Sequence, residues 1–389
     1  MEITFAKRMD SFQEGIFTVL NKKKNELLAQ GRTIYNLSVG TPDFKPAPHV
    51  MQALTESASK PENYKYSLVE RPALLEAMQN FYNRRFGVRL DTKQIMAVNG
   101  SQEAMTHICW ALCDPGDVVL VPNPGYPIFE VGPFLCGAEI VKYPLYEENG
   151  FLPKFSDIPE ETAKKAKVMV VSYPANPVCA TANDAFYEEL IAFAKKYNII
   201  IIHDNAYADI IYDGEGQSFL KYDGASEVGV EYYSLSKTFD LTGARVSFVL
   251  GNEAIIQKFH TLRSQIDYGI FYPVQDAAIA ALNGPFDGVE RQQEEYAARN
   301  RALCGGLRSI GWNVPDSKGT MFVWAPIPAS YTSSEKFTLD LMEKSGVIVV
   351  PGSSFGSLGE GYVRMALVLD VPTMEKVVQV IKESGILNA

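Results

Sequence analysis

Four consecutive isoleucines, Ile199 to Ile202, run straight into HDNAYADIIYD, and no other stretch restricts the fold of this chain so tightly. A strand with one wet face alternates apolar and polar residues. A run apolar on both faces belongs to a strand covered on both sides, as in the middle of a parallel sheet. Parallel strands need long crossovers, which helices usually fill. The rest of the chain has that rhythm. A strand is expected at 95–98, then a helix to about residue 112. PGDVVLVPNPGYPIFE and AEIVKYPL read as two strands separated by a helix, followed by a strand at 168–172 and a helix at 185–197. Helices at 10–30, 49–57 and 72–86 and a short strand at 33–39 precede this series. Two helical segments flank YGIFYP, and a long amphipathic helix after them should stop at Gly305-Gly306. The pattern then becomes a smaller α+β unit built from GTMFVWAPI, a helix near 337–345, VIVVPGSSFG and GYVRMALVL. A length of 389 residues suits two or three domains.

Asp204 stands at the end of the isoleucine strand, where an uncompensated carboxylate is costly. A protonated ring nitrogen would compensate it, and so would capping the following turn. Tyr207, three residues on, would lie over the same place. A second unusual charge is Lys237, in EYYSLSKTFDLTGARVSFVL at 231–250. It sits between two strand-like runs, among Ser234, Ser236 and Thr238. Desolvation there lowers an amine's pKa, and a neutral amine attacks carbonyl carbon. The serines and Arg245 offer hydroxyls and a fixed cation for a phosphate. A phosphate site beside a carbonyl-reactive lysine points to pyridoxal phosphate. The competing reading pairs Lys237 with Asp240 and leaves Arg245 on the surface.

Further positions fit the first reading. Gly100 and Ser101 join a strand to a helix, where free backbone N–H groups face an anion. There is no GxGxxG, so the joint suits one phosphate rather than a dinucleotide. Gly40, two residues before Pro42, marks a sharp turn that lets backbone approach a ligand. Tyr126 follows a strand in a Pro-Gly loop and can stack on a flat ring. Asn176 follows a buried strand in YPANP. Arg364 lies inside the last strand and needs a carboxylate-like partner. Taken singly, each of these is also an ordinary turn, cap or salt bridge.

Taken together, their order and spacing resemble the aspartate aminotransferase superfamily, pyridoxal-phosphate enzymes of fold type I, over nearly the whole chain. The resemblance implies an α/β fold, a mostly parallel central sheet sandwiched by helices, with a smaller α+β domain. Residues 45–285 would form the large cofactor-binding domain, and 1–44 with 286–389 the small one. Lys237 would be the Schiff-base lysine and Asp204 the partner of the pyridinium nitrogen. Tyr207 and Asn176 would bond the ring hydroxyl, and Tyr126 would stack on the ring. Ser101, Gln102, Ser234 and Arg245 would cradle the phosphate, with Ser236 a further contact. Gly40 and Arg364 would take the substrate α-carboxylate. Tyr66 would reach the phosphate of a neighbouring subunit, making the working unit a homodimer.

The implied activity is amino-group transfer between an L-amino acid and a 2-oxo acid with ping-pong kinetics. GYP, ENGFLP, YPANP, HDNAY, SLSKT and GYVR are most similar to bacterial LL-diaminopimelate aminotransferases. NPVC where that group has NPTG, Arg71 where it has glycine, and GARVSF where it has GWRIGF leave the LL-diaminopimelate, aspartate and alanine types open. Glu70 and Arg71, near the expected substrate entrance, read as a solvated loop pair rather than as a selector of charged substrates. A carbon–sulfur β-lyase on the same scaffold is the main alternative.

Net charge and cysteine usage narrow the rest. A formal charge of −10 opposes nucleic-acid binding, which needs clustered lysine and arginine. It also opposes a DNA-binding regulator built on this fold, and a nicotinamide dehydrogenase would need the missing glycine fingerprint. Five scattered cysteines argue against a disulfide framework. Cys109 and Cys113 sit one turn apart near His107 without a second ligand cluster, so they read as core residues and no metal is expected. MEITFAKRMDSF carries acid and lacks an apolar core, unlike a signal peptide. No apolar run approaches the ~18 residues of a membrane span. A cytoplasmic enzyme is the expectation.

Overall fold

The computed structural model describes residues 1–12 and 16–388. At its centre are seven strands: β1 (Ile95–Val98), β2 (Val118–Asn123), β3 (Glu139–Pro144), β4 (Ala166–Ser172), β5 (Ile200–Asp204), β6 (Gly229–Ser234) and β7 (Ser247–Gly251). They lie in the order β1-β7-β6-β5-β4-β2-β3, with the isoleucine strand in the middle. Strands from β6 to β3 pair in parallel, while β7 runs antiparallel to both β6 and β1.

Both faces of the sheet are covered, and the period of two along each strand sorts residues between them. Met96, Val98, Val119, Val121, Val168, Val170 and Ile202 pack on one side. Ala97, Leu120, Met169, Val171 and Ile201 pack on the other. The second face meets α1 (Pro72–Phe86) through Leu74, Met78 and Phe81. The first face meets α2 (Ser101–Leu112), whose Met105, Ile108 and Cys109 fill it, and α3 (Ile128–Cys136) lies against α2. Helix α4 (Asp184–Tyr197) adds Phe186 and Leu190 to the second face. Cys109 and Cys113 are buried in that first layer.

Two ionisable side chains are sealed in the sheet itself. His203 and Glu231 approach to 2.9 Å, and Glu231 also accepts from the Tyr82 and Ser218 hydroxyls and the Phe219 N–H. Four donors around one carboxylate offset the cost of removing it from water.

Beyond the main sheet, α5 (Asp287–Ser309) leads to a small antiparallel sheet of β8 (Phe322–Pro326), β9 (Val350–Pro351) and β10 (Tyr362–Ala366), in the order β9-β10-β8. The last helix, α6 (Val371–Glu383), packs on α5. The sequence placed a stop at Gly305-Gly306, but α5 runs through both glycines. A Cβ on Gly306 would lie 2.6 Å from Val378 of α6, so this glycine permits close helix packing. The N-terminal helix spans Ile16–Ala29, and the part of the expected helix at 13–15 falls outside the described residues. The strand expected at 33–39 is only Tyr35–Asn36, paired with Val347–Ile348. The Ser38 N–H and hydroxyl turn back onto Asn36 Oδ1, at 3.0 and 2.7 Å, and divert the chain from the ladder.

Candidate active site

The carboxyl ends of β1 to β6 share one edge of the sheet, where ligands bind in open α/β folds. A cavity of about 760 Å³ opens there. Gly40, Ser101, Gln102, Tyr126, Asn176, Asp204, Tyr207, Ser234, Ser236, Lys237, Arg245 and Arg364 all line it. The N-terminal loop, the main sheet and the small sheet therefore meet at one place.

Lys237 lies on a single helical turn, Leu235–Thr238, directly after β6. That turn is held from several sides. Ser234 Oγ accepts the Ser236 N–H at 3.2 Å. The Thr238 hydroxyl donates to Asp209 at 2.9 Å, and Asp209 also accepts from Tyr233 at 2.6 Å and Arg85 at 2.9 Å. Gln292 of α5 donates to the Lys237 carbonyl at 3.1 Å and to Asp240 Oδ1 at 2.9 Å. The amine end alone is left for chemistry. Its Nζ donates to the Gly40 carbonyl at 2.6 Å. Burial, then the Arg364 and Arg245 guanidinium groups, bring its pKa down to about 8. Asp240 does not pair with it; its carboxylate goes to Gln292, and burial with Asp43 nearby pushes its pKa up to about 7.

Asp204 is buried, and among the described residues its Oδ1 has no hydrogen-bond partner. Burial raises its pKa to about 6, while neighbouring His203 and the Ala206 N–H act the other way. Turn capping thus holds in part, yet Oδ1 is left buried at the cavity wall without a donor among the described residues. A cationic N–H would satisfy it.

Arg364, on β10, is buried between two rings, 4.0 Å from the Phe322 centroid and 4.7 Å from that of Phe355. Its Nη1 donates to Asn176 Oδ1 at 2.8 Å and its Nη2 to the Ser38 carbonyl at 3.4 Å. Nε has no partner, and among the described residues no carboxylate lies within ion-pairing distance. A structural salt bridge does not account for this arginine. A clamped guanidinium with spare donors is ready for a carboxylate from outside.

The opposite end of the cavity suits an anion. Gly100 has φ +91°, and a Cβ there would sit 2.1 Å from Arg245 Nη2. Only glycine lets the arginine lie over the first turn of α2. Arg245, itself at φ 55°, donates from Nη1 to the Thr242 carbonyl at 2.9 Å. Its surface exposure and its place in the cavity are both real, so the two sequence readings were not exclusive. The Ser247 hydroxyl donates to Ser234 Oγ at 3.0 Å, and Tyr126 donates to Gln102 Oε1 at 3.3 Å. Gly40 packs on Phe322, where a Cβ would meet the ring at 2.6 Å.

Tyr66 lies apart from the cavity lining, 78% exposed and 5.0 Å from the Tyr268 ring. Glu70 and Arg71 are not a solvated pair. Arg71 contacts Asp276 at 3.3 Å, donates to Asn63 at 2.7 Å and stacks on Tyr272 at 4.3 Å, while Glu70 accepts the Ala97 N–H at 3.1 Å. Two adjacent charges in a polar loop read as solvated, but partners within the fold take each of them. Phe322 and Phe355 were missed, because a phenylalanine in GTMFVWAPI looks like any core residue. The isolated arginine of β10 was the only hint that it needed aromatic walls.

A sequence profile of the aminotransferase class I and II family matches residues 32–381. The LL-diaminopimelate aminotransferase of Desulforudis audaxviator is 40% identical over 377 residues, covering 96% of each chain. Among solved structures, substrate-bound BacF from Bacillus subtilis aligns with a TM-score of 0.94 at 36% identity, over 98% of each chain. An aminotransferase from Staphylococcus aureus aligns with a TM-score of 0.90 at 29% identity, over 97% of this chain and 98% of that one.

Proposed function

The chain belongs to the class I and II aminotransferases, and from that premise we propose that its cavity holds pyridoxal 5′-phosphate while an amino group moves between an L-amino acid and a 2-oxo acid. One observation carries the cofactor reading. A buried carboxylate oxygen without a donor and an amine with a lowered pKa face the same cavity, at Asp204 and Lys237. Asp204 would hold the ring nitrogen, Tyr126 would cover the ring, and Tyr207 and Asn176 would bond its hydroxyl. Ser101, Gln102, Ser234, Ser236 and Arg245 would hold the phosphate, helped by the free N–H groups that open α2.

When bound, the cofactor supplies an electrophilic carbon and a ring that accepts the electrons left as the substrate Cα–H bond breaks. The protein's own groups do the rest. Arg364, with Gly40 beside it, fixes the α-carboxylate and so sets which Cα bond faces Lys237. The Lys237 amine, neutral in part at ordinary pH, takes the Cα proton and returns it elsewhere. Asp204 keeps a proton on the ring nitrogen, which favours electron withdrawal. Nothing supports a lyase over a transferase. Borohydride treatment of the loaded protein, followed by peptide mass mapping, should leave a pyridoxyl group on the peptide bearing Lys237. No labelled peptide, or a label on another lysine, would remove this reading.

Within the same proposal, residues 45–285 form the cofactor-binding domain and 1–44 with 286–389 the small one. The seven-stranded sheet falls inside the first range and the three-stranded sheet inside the second. We also assign a homodimer. Tyr64, Tyr66, Leu68 and Val69 are exposed together, and Ile266, Tyr268 and Phe271 add to that apolar area. A patch of this kind marks a protein interface. Tyr66 would lie in it and reach the partner's phosphate site. Sedimentation should give twice the chain mass, and Leu68→Glu should shift the population towards one copy. A wild-type monomer at micromolar concentration would overturn the assignment. No helix among the described residues is long and apolar enough to cross a membrane. Five free cysteines, four of them buried, support a reducing cytoplasm.

A further inference from the structure

Among the described residues, four charged side chains line the cavity: Asp204, Lys237, Arg245 and Arg364. On the reading above, which this inference rests on, three of them serve the cofactor and Arg364 takes the α-carboxylate. What remains for the substrate side chain is the wall between them. Val39, next to Gly40, and Phe355, over the Arg364 guanidinium, form one part of it. Ile128 and Val131 form another, one turn apart on the same face of α3. Met105 of α2 adds a thioether. The uncharged lining residues Ser38, Thr41, Gln102 and Ser354 give hydrogen bonds but no charge.

Two other sources of charge are already used. Glu70 is taken up by the Ala97 N–H, and Arg71 by Asp276, Asn63 and Tyr272. The surface that a second copy would present, around Tyr64, Tyr66, Leu68 and Val69, is mainly aromatic and aliphatic, with Lys65 as the exposed cation among them.

We propose that this site selects amino acids with apolar side chains, aliphatic or aromatic, and that Ile128 and Val131 are its specificity-determining residues. A substrate with a second carboxylate or ammonium would have to shed water from that charge against hydrocarbon. That loss exceeds anything the neutral hydroxyls return. LL-Diaminopimelate carries both charges at its far end, so it is a poor substrate here. Specificity is a difference between affinities, and the apolar wall acts on both sides of it.

The test is a half-reaction panel with cofactor-loaded wild-type protein, read from cofactor absorbance and from the 2-oxo acid formed. Leucine, methionine and phenylalanine should exceed glutamate, aspartate and LL-diaminopimelate in kcat/KM by about 100-fold. Val131→Lys places a cation on the wall and should move the glutamate-to-leucine ratio at least about tenfold towards glutamate. Glutamate, aspartate or LL-diaminopimelate winning in the wild type overturns the inference while leaving the cofactor reading intact. An unchanged ratio in a folded Val131→Lys protein overturns the assignment of the wall. A protein that takes up cofactor yet converts no amino acid defeats both.

Discussion

Lys237→Arg is expected to fold, to keep the contact with the Gly40 carbonyl, and to lose turnover by about ten-thousand-fold or more. The reason lies in the difference between position and protonation. The native amine is brought down to about 8 by burial and two neighbouring guanidinium groups, so part of it is neutral near physiological pH. A guanidinium in the same place cannot give up its proton, and so can neither attack a carbonyl nor carry the Cα proton. Lys237→Ala should be equally inactive, for the different reason that the amine is absent. Folding should survive both changes, because the turn is held through Thr238, Ser234 and Gln292 rather than through Nζ. Circular dichroism and thermal unfolding establish the fold; coupled assay of the 2-oxo acid product measures the rest. Turnover by the arginine variant within tenfold of wild type would take the proton-transfer role from this residue.

The parts of this protein that were legible in its sequence are those where local pattern and global position agree. Ile200–Asp204 is central and parallel because four isoleucines leave no wet face. Lys237 stood out because an ammonium in apolar company is costly, and the lowered pKa has that origin. Arg364 stood out likewise, and the described residues supply no carboxylate for it. Contacts between distant segments were not legible. Gly306 looked like a helix stop because its partner, Val378, lies on another helix. Glu70 and Arg71 looked solvated because they adjoin in a polar loop, while the groups that take them lie far along the chain at Ala97 and Asp276. The rings of Phe322 and Phe355 around Arg364 were hidden for the same reason. Propensity and periodicity report on neighbours in sequence, and a site assembled from three segments is a set of neighbours in space.

Asp204→Asn is expected to abolish activity and yet to stabilise the ligand-free protein at neutral and alkaline pH. Burial raises the Asp204 pKa from 3.8 to about 6, so the folded state resists ionising it. The unfolded chain ionises it first. Any stability tied to the protonated form is therefore present below about pH 4 and is lost as pH rises through about 6. At about pH 8 the ligand-free wild type carries the whole cost, roughly 3 kcal/mol for a shift of this size. An asparagine carries none of it and can still accept the Ala206 N–H. Denaturant unfolding of the two ligand-free proteins should thus coincide near pH 4, diverge as pH rises to about 6 and keep a constant gap above that, with the variant the more stable. Adding cofactor should raise the wild type more than the variant, since only a carboxylate gains from a cationic ring nitrogen against Oδ1. A variant less stable than wild type at about pH 8, or a gap that does not change with pH, would mean that the Asp204 charge is already compensated within the protein. Its placement at the end of the central strand would then serve folding, and the case for a cation above it would fail.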